Sequence, residues 1–349
     1  MRRYVKKYDL SDADRAKLDY VLSVHGPGMK EVSLASNAFV ARYNKTHDRP
    51  LKGGHGSLAH PDPNYADLSL VEDPAKLPDV VGGMGFGEFF GRAFIDRHVL
   101  GGRFRPVPYP APPIPLFDGV DLVDRTGSYH IYGGSAFDFL VDERKLEGRP
   151  VPRRWEDLLD PRYRGMVVCG FNIDDINEVF LLYFYQRYGL DGVAAFADNL
   201  AAPIDTLDIM RTSLRQRNCH AVYLLPHFFS TAAPHEEHLL RVWPDDGALL
   251  APYFFLVQRD GGERADAIVD FFFGEGLARA LTSKEMFHVY SSGLGNEYEH
   301  RRFKWLGWDW LLERDIVETM RAIDAVAVPR VLKRHPELEK DIGRALWNG

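Results

Sequence analysis

The stretch GRPVPRRWEDLLDPRYRGMVVC, residues 148 to 169, decides how the chain is divided. Gly148, Pro150 and Pro152 punctuate the backbone, and each residue before a proline is pushed into extended conformations. Trp155 to Leu159 then reads as one short helical turn, stopped by Asp160-Pro161. After Tyr163-Arg164-Gly165, the run Met166-Val167-Val168-Cys169 has the length and apolar content of a buried strand. The residues alone leave two readings open: an ordinary helix-to-strand connection inside one large domain, or entry into a second lobe.

The pattern of Pro152, Trp155, Asp157, Leu158, Leu159, Asp160, Pro161, Tyr163 and Gly165 resembles the substrate-binding proteins of ABC importers. Within them it is most similar to the branch that takes ferric iron, thiamine, polyamines or sugar phosphates. A second stretch, Asp246-Gly247-Ala248-Leu249-Leu250-Ala251-Pro252, resembles the strand that returns in that family after an acidic-Gly-Ala turn. The helix expected from Ala265 to Phe273 follows it as the family's does. The resemblance covers roughly residues 30 to 295 and implies an α/β fold of two lobes closing on a ligand cleft (periplasmic-binding-protein-like, type 2). The implied organisation is an N-terminal helical extension over 1–30 and a first part of lobe one over 31–135. Lobe two follows a hinge crossing and spans 136–255, and residues 256–349 return to lobe one and end in helices. Crossings are expected near Ser128 to Val141 and near Gly148 to Gly165, with the C-terminal helices bracing the first lobe.

Composition agrees with two lobes. A chain of 349 residues exceeds the usual size of a single core. A net charge of −7 argues against nucleic acid as a partner, because its binders carry a basic footprint. Cys169 and Cys219 form no CxxC and no zinc pattern, and read as two buried thiols. Arg2, Arg3, Lys6 and Lys7 lack the apolar segment that would follow in a signal peptide. Instead Ser11 to Leu22 reads as an amphipathic helix stopped by Gly26-Pro27-Gly28. Two expectations therefore stand for location: the cell envelope if an export signal has been removed, or the cytoplasm for the chain as written.

Candidate ligand contacts come from four strand ends. Val32 to Ala35 reads as the first strand, with Ser36 and Asn37 at a helix start whose free amides suit an anion or a carbonyl. Leu77 to Val81 reads as the second, breaking into Gly82-Gly83-Met84-Gly85-Phe86-Gly87 before a helix reaching Val99. There Gly83, Met84, Gly85 and Phe86 face the cleft if the resemblance holds. Asn172, Asp174 and Asp175 stand before the helix Ile176 to Tyr188, either receiving an amine or only complementing the helix dipole. The fourth end is Pro226-His227-Phe228-Phe229, after a strand over 219–225. His130 either faces the cleft or satisfies a backbone group.

The resemblance also bears on the ligand. Ferric-binding relatives place adjacent tyrosines where this chain has Phe228-Phe229, and often a histidine just after the first strand. The implied ligand is a small polar organic molecule stacked on Phe228 or hydrogen-bonded by His227. No cofactor and no metal is expected, and His235-Glu236-Glu237-His238 reads as a solvated turn. Enzyme motifs are missing: there is no G-x-S-x-G, no HExxH and no kinase set. The expected function is a monomeric, non-catalytic receptor serving a membrane ABC permease. A cytoplasmic sensor or enzyme reusing the same fold is the alternative.

Overall fold

The structure is a computed structural model that describes residues 18–24, 26–56, 68–169, 178–203, 220–291 and 295–336. The chain opens with strand β1 (Tyr20–Ser23), helix α1 (Met29–Tyr43), β2 (Gly53–Gly56) and β3 (Val80–Met84). A short turn of helix α2 (Arg92–Phe94) continues as a π-helical turn, Ile95–Val99. The long strand β4 (His130–Asp142) precedes β5 (Val167–Cys169), α3 (Glu178–Asn199), β6 (Leu200–Pro203) and β7 (Val222–Pro226). Then come α4 (His227–Ala232), β8 (Leu239–Val242), the second long strand β9 (Ala248–Val257), α5 (Gly262–Phe272) and α6 (Glu275–Thr282). The described chain ends with β10 (Phe287–His288), β11 (Phe303–Lys304), α7 (Trp308–Leu312) and α8 (Ile316–Arg334).

Two groups of parallel strands are tied together by the two long ones. β1 lies between β2 and β3, and all three run parallel. β5 lies between β6 and β7, again parallel. β9 pairs antiparallel with β3 through Tyr253 to Val257 and with β4 along His130 to Phe137. β4 then continues past β9 to pair with β7 through Phe137 to Val141 and with β8 on its other edge. One hydrogen-bonded network thus runs through both halves, but only because β4 and β9 serve each half with a different part of their length. Every residue of both strands is buried; β9 accordingly reads as an unbroken apolar run, while β4 carries buried polar residues at His130, Ser135, Asp138 and Asp142. Gly133 of β4 has no side chain because a Cβ there would strike the carbonyl oxygen of Phe287 on the paired β10.

Several expected elements fall elsewhere. Leu18, Val21 and Leu22 belong to β1 and its entry, not to a helix, and Val32 to Ala35 lies inside α1. Both runs are short and apolar, and periodicity alone does not separate helix from strand at that length. The crossing expected near 128–141 is β4. The one expected near 148–165 is a pair of 3-10 turns, Trp155–Leu159 and Pro161–Tyr163, leading into β5; the returning crossing is β9. Pro329 lies within α8 rather than starting a new helix. α8 packs mainly on α3, with smaller contacts to β6 and to the 3-10 turn Glu88–Phe90 that follows β3. His335 caps this contact, its Nε2 lying 2.6 Å from the Ala201 carbonyl oxygen. Residues 1–17 and Cys219 lie outside the described residues, as does Leu207 to Arg217, which reads in sequence as an amphipathic helix; Cys169 is a buried free thiol.

The two stretches that carry the resemblance touch each other. Trp155 is fully buried, and its indole N–H donates to the Gly247 carbonyl oxygen at 2.8 Å, at the turn that launches β9. Its ring meets Phe139 of β4 edge-to-face at 4.8 Å. Asp157 closes the turn by accepting from the backbone N–H groups of Arg153 and Arg154. Gly247 adopts φ 100°, open to glycine and costly for other residues. The tryptophan is therefore a clamp between the entrance to β5 and the start of the returning strand.

Candidate functional site

In open α/β sheets, ligands sit beyond the carboxyl ends of parallel strands, where helix starts present free amides. The four ends are those of β1, β3, β5 and β7. The β1 end leads through Gly26–Gly28 into α1, so Ser36 and Asn37 do not stand at a strand end. Ser36 is buried in mid-helix, its hydroxyl 2.6 Å from the Tyr20 hydroxyl, while Asn37 is exposed on the helix surface. The residue that follows Val24 at this end is His25, which lies outside the described residues.

The β3 end carries Gly83, Met84, Gly85 and Phe86, all buried. Gly83 is small because a Cβ would lie 2.5 Å from the Phe254 ring of β9, so strand packing accounts for it without a ligand. Met84 pairs with Tyr253, and the Gly85 N–H donates to the Pro252 carbonyl oxygen at 2.9 Å. Phe86 packs between Phe90 and Trp305, with ring centroids 6.1 and 6.2 Å away. The buried Trp305 indole N–H beside it has no hydrogen-bond partner among the described residues. Beyond Gly87 the expected helix is broken into a 3-10 turn, Glu88–Phe90, and the short α2.

His130 uses both ring nitrogens on backbone groups. The Val107 N–H donates to Nε2 at 2.9 Å, so the ring proton sits on Nδ1 and is donated to the Ser128 carbonyl oxygen at 3.1 Å. Burial pushes this imidazole down to about 4. Of its two expected roles the geometry displays the backbone one. At the β5 end, Asn172, Asp174 and Asp175 lie outside the described residues.

The β7 end holds the densest polar cluster. His227, 4% exposed, opens α4 with Nδ1 2.6 Å from Asp138 Oδ2 and Nε2 2.7 Å from the Tyr298 hydroxyl. Asp138 is 1% exposed and also faces the Ser230 hydroxyl at 3.0 Å. The Tyr298 hydroxyl lies 3.2 Å from Glu285 Oε2, and the Arg301 guanidinium lies over both the Trp243 and Tyr298 rings at 4.9 and 4.8 Å. Phe228 is buried, its ring 4.6 Å from that of Phe229, and neither offers an atom to coordinate a metal. Sequence reading found His227 and missed Asp138, Glu285, Tyr298 and Arg301. One signal was present: an acid between two phenylalanines, Phe137-Asp138-Phe139, in a strand that reads as buried needs a partner. His235 to His238 forms an exposed bend in which His238 Nε2 lies 2.8 Å from Glu236. No cluster of three metal-ligating side chains occurs among the described residues.

Comparison with known proteins bears on the family and the fold. The family model for a bacterial extracellular solute-binding protein matches residues 75–314. No curated protein matches the sequence. Among solved structures, the ferric binding protein from Campylobacter jejuni superposes with a TM-score of 0.60 at 13% identity, covering 88% of this chain and 98% of that one. FutA2 from Synechocystis PCC6803 gives 0.62 at 13% identity, covering 89% and 99%. The periplasmic binding protein AfuA from Actinobacillus pleuropneumoniae, with fructose-6-phosphate bound, gives 0.59 at 15% identity, covering 94% and 98%. Identities this low speak for the shared two-lobed fold, while the family match spans more than half of the sequence. The chain belongs to the bacterial extracellular solute-binding proteins.

Proposed function

We propose that this solute-binding receptor captures a small polar organic molecule, not a bare ferric ion, and hands it to an ABC-type permease in the cell envelope. The observation that carries the reading is the β7 end. Hard Fe³⁺ calls for anionic oxygen donors. Here the position offers His227, whose nitrogens are already engaged, then Phe228 and Phe229, which have no donor atoms. The case against iron therefore rests on the missing phenolates at this end. The proposed binding surface joins the β1 and β3 ends, including Gly83 to Phe86, to Asn172, Asp174, Asp175 and the His227–Phe228 corner. The lobe boundaries proposed with it follow the strand pairing: β1 to β3 with the carboxyl half of β9 in one lobe, β5 to β7 with the carboxyl half of β4 in the other. The ligand role is non-catalytic.

Titration with ferric citrate and, separately, with a panel of sugar phosphates, amines and thiamine-like cations tests it, read by thermal shift and visible absorbance. The reading expects stabilisation by an organic member of the panel, with no visible charge-transfer band from iron. A one-to-one ferric complex with such a band, and no response to any organic compound, overturns it.

A further inference from the structure

The cluster behind His227 contains a proton imbalance. Asp138, His227, Tyr298 and Glu285 form a chain of three hydrogen-bonded contacts, at 2.6, 2.7 and 3.2 Å. Each contact needs one proton between its two heavy atoms. In neutral water an Asp and a Glu bring none, a neutral His brings one and a Tyr brings one. Three contacts therefore draw on two protons. If Tyr298 donates to His227, two acceptors face each other at Glu285; if it donates to Glu285, the same happens at His227.

The chain also joins different parts of the fold. Asp138 lies on the part of β4 that pairs with β7, and His227 begins the helix leaving β7. Glu285 follows α6, which packs on α1 and leads into β10. Glu285 is held at φ 54°, a left-handed conformation uncommon outside glycine, which carries its carboxylate on a fixed backbone. We infer that Asp138, His227, Tyr298 and Glu285 form a proton-dependent latch, complete only when the four groups take up one proton more than they carry separately in neutral water.

The surroundings suit the extra proton. The carboxylates of Asp138 and Glu285 terminate the chain, and Glu297 lies next to Tyr298 in sequence. Opposing them are Arg301, over the Tyr298 ring, and Arg241, whose Nε donates to the Ser230 carbonyl oxygen at 2.7 Å. Lys284 is turned to Glu31 at 3.1 Å. Burial, then the nearby Glu285, pushes the Tyr298 phenol well up, so it stays an O–H that donates one proton only. Trp243 and Phe287 cover the His227 ring, at 5.4 and 5.7 Å between centroids. The sign follows from mass action: proton uptake on latching means that raising the pH opens the latch.

Unfolding of the full chain by urea, followed from roughly pH 6.5 to 9, tests this by comparing the wild type with Glu285→Gln. A glutamine amide supplies the third proton covalently: it donates to Tyr298 while Tyr298 donates to His227. The wild-type unfolding constant should rise with pH relative to the variant, by up to about tenfold per unit. Glu285→Gln should be the more stable protein at the alkaline end. Tyr298→Phe is the second arm. It should cost most at the acid end and less at the alkaline end, where the wild-type Tyr298 keeps only one of its two contacts, whereas loss of packing alone costs the same at every pH. Parallel curves for wild type and both variants overturn the latch, as does a Glu285→Gln protein that loses stability equally across the range. If Glu285→Gln fails to fold, Tyr298→Phe decides the matter: a cost that shrinks as the pH rises supports the latch, and a constant cost overturns it.

Discussion

At the scale of single residues, the buried histidines define how the protein responds to acid. His130 and His288 are both held neutral by two backbone contacts: the Tyr290 N–H donates to His288 Nδ1 at 3.1 Å, and His288 Nε2–H donates to the Phe272 carbonyl oxygen at 2.9 Å. Burial lowers each from 6.5 to about 4. Between those values the unfolded chain binds protons that the folded chain refuses, so stability falls as the pH falls from 6.5 towards 4. The full loss is on the order of 3 kcal/mol for each histidine. Urea midpoints measured across that window should drop steadily, and a flat profile would show that these rings are not held neutral. His130 illustrates what single residues disclose in a sequence. Its two roles were both visible, but the choice depended on the Val107 amide, which only the fold brings to it. Gly83 is similar: a glycine at a strand end signals close approach, yet what approaches is Phe254 and not a ligand.

Among the elements, the Trp155 turn was legible because its signals are local: prolines fix the backbone, Asp157 and Asp160 cap the turns, and an apolar run follows. Its partner was not legible, since the Gly247 turn lies 92 residues away. Trp155→Phe keeps most of the ring packing and deletes the indole N–H that the Gly247 carbonyl oxygen uses. The expected cost is about 1–3 kcal/mol of stability, by urea unfolding. An unchanged midpoint would mean that the clamp is packing alone. The first strand and first helix were misplaced for the opposite reason. Tyr20–Ser23 and Val32 to Ala35 are four-residue apolar runs of similar composition, and what separates them is the pairing of β1 with β2 and β3. Pro329 was read as the start of a further helix, but α8 runs through it to Arg334 and packs on α3.

The molecule as a whole consists of two parallel strand groups held by two shared antiparallel strands. β9 pairs with β3 of one group, β4 pairs with β7 of the other, and β4 and β9 pair with each other, so together they connect the two halves. Cross-contacts add to them: α8 touches both α3 and the 3-10 turn Glu88–Phe90, and Arg92 reaches the Leu312 carbonyl oxygen at 2.9 Å. This organisation was readable from chain length and two motifs, because a hinged receptor repeats its strand-end geometry in both lobes. The ligand was not, because the rim residues come from four distant stretches, and their polar groups are partly spent on one another, as at His227. The central claim is that the space between the lobes holds one small organic solute. Native mass spectrometry of gently purified protein, repeated after denaturation, tests it most directly. The account predicts a one-to-one adduct with the mass of a small organic molecule, bound to the folded chain and released on unfolding. A one-to-one adduct with the mass of a ferric ion, or a chain that stays bare after incubation with the organic panel, would contradict it.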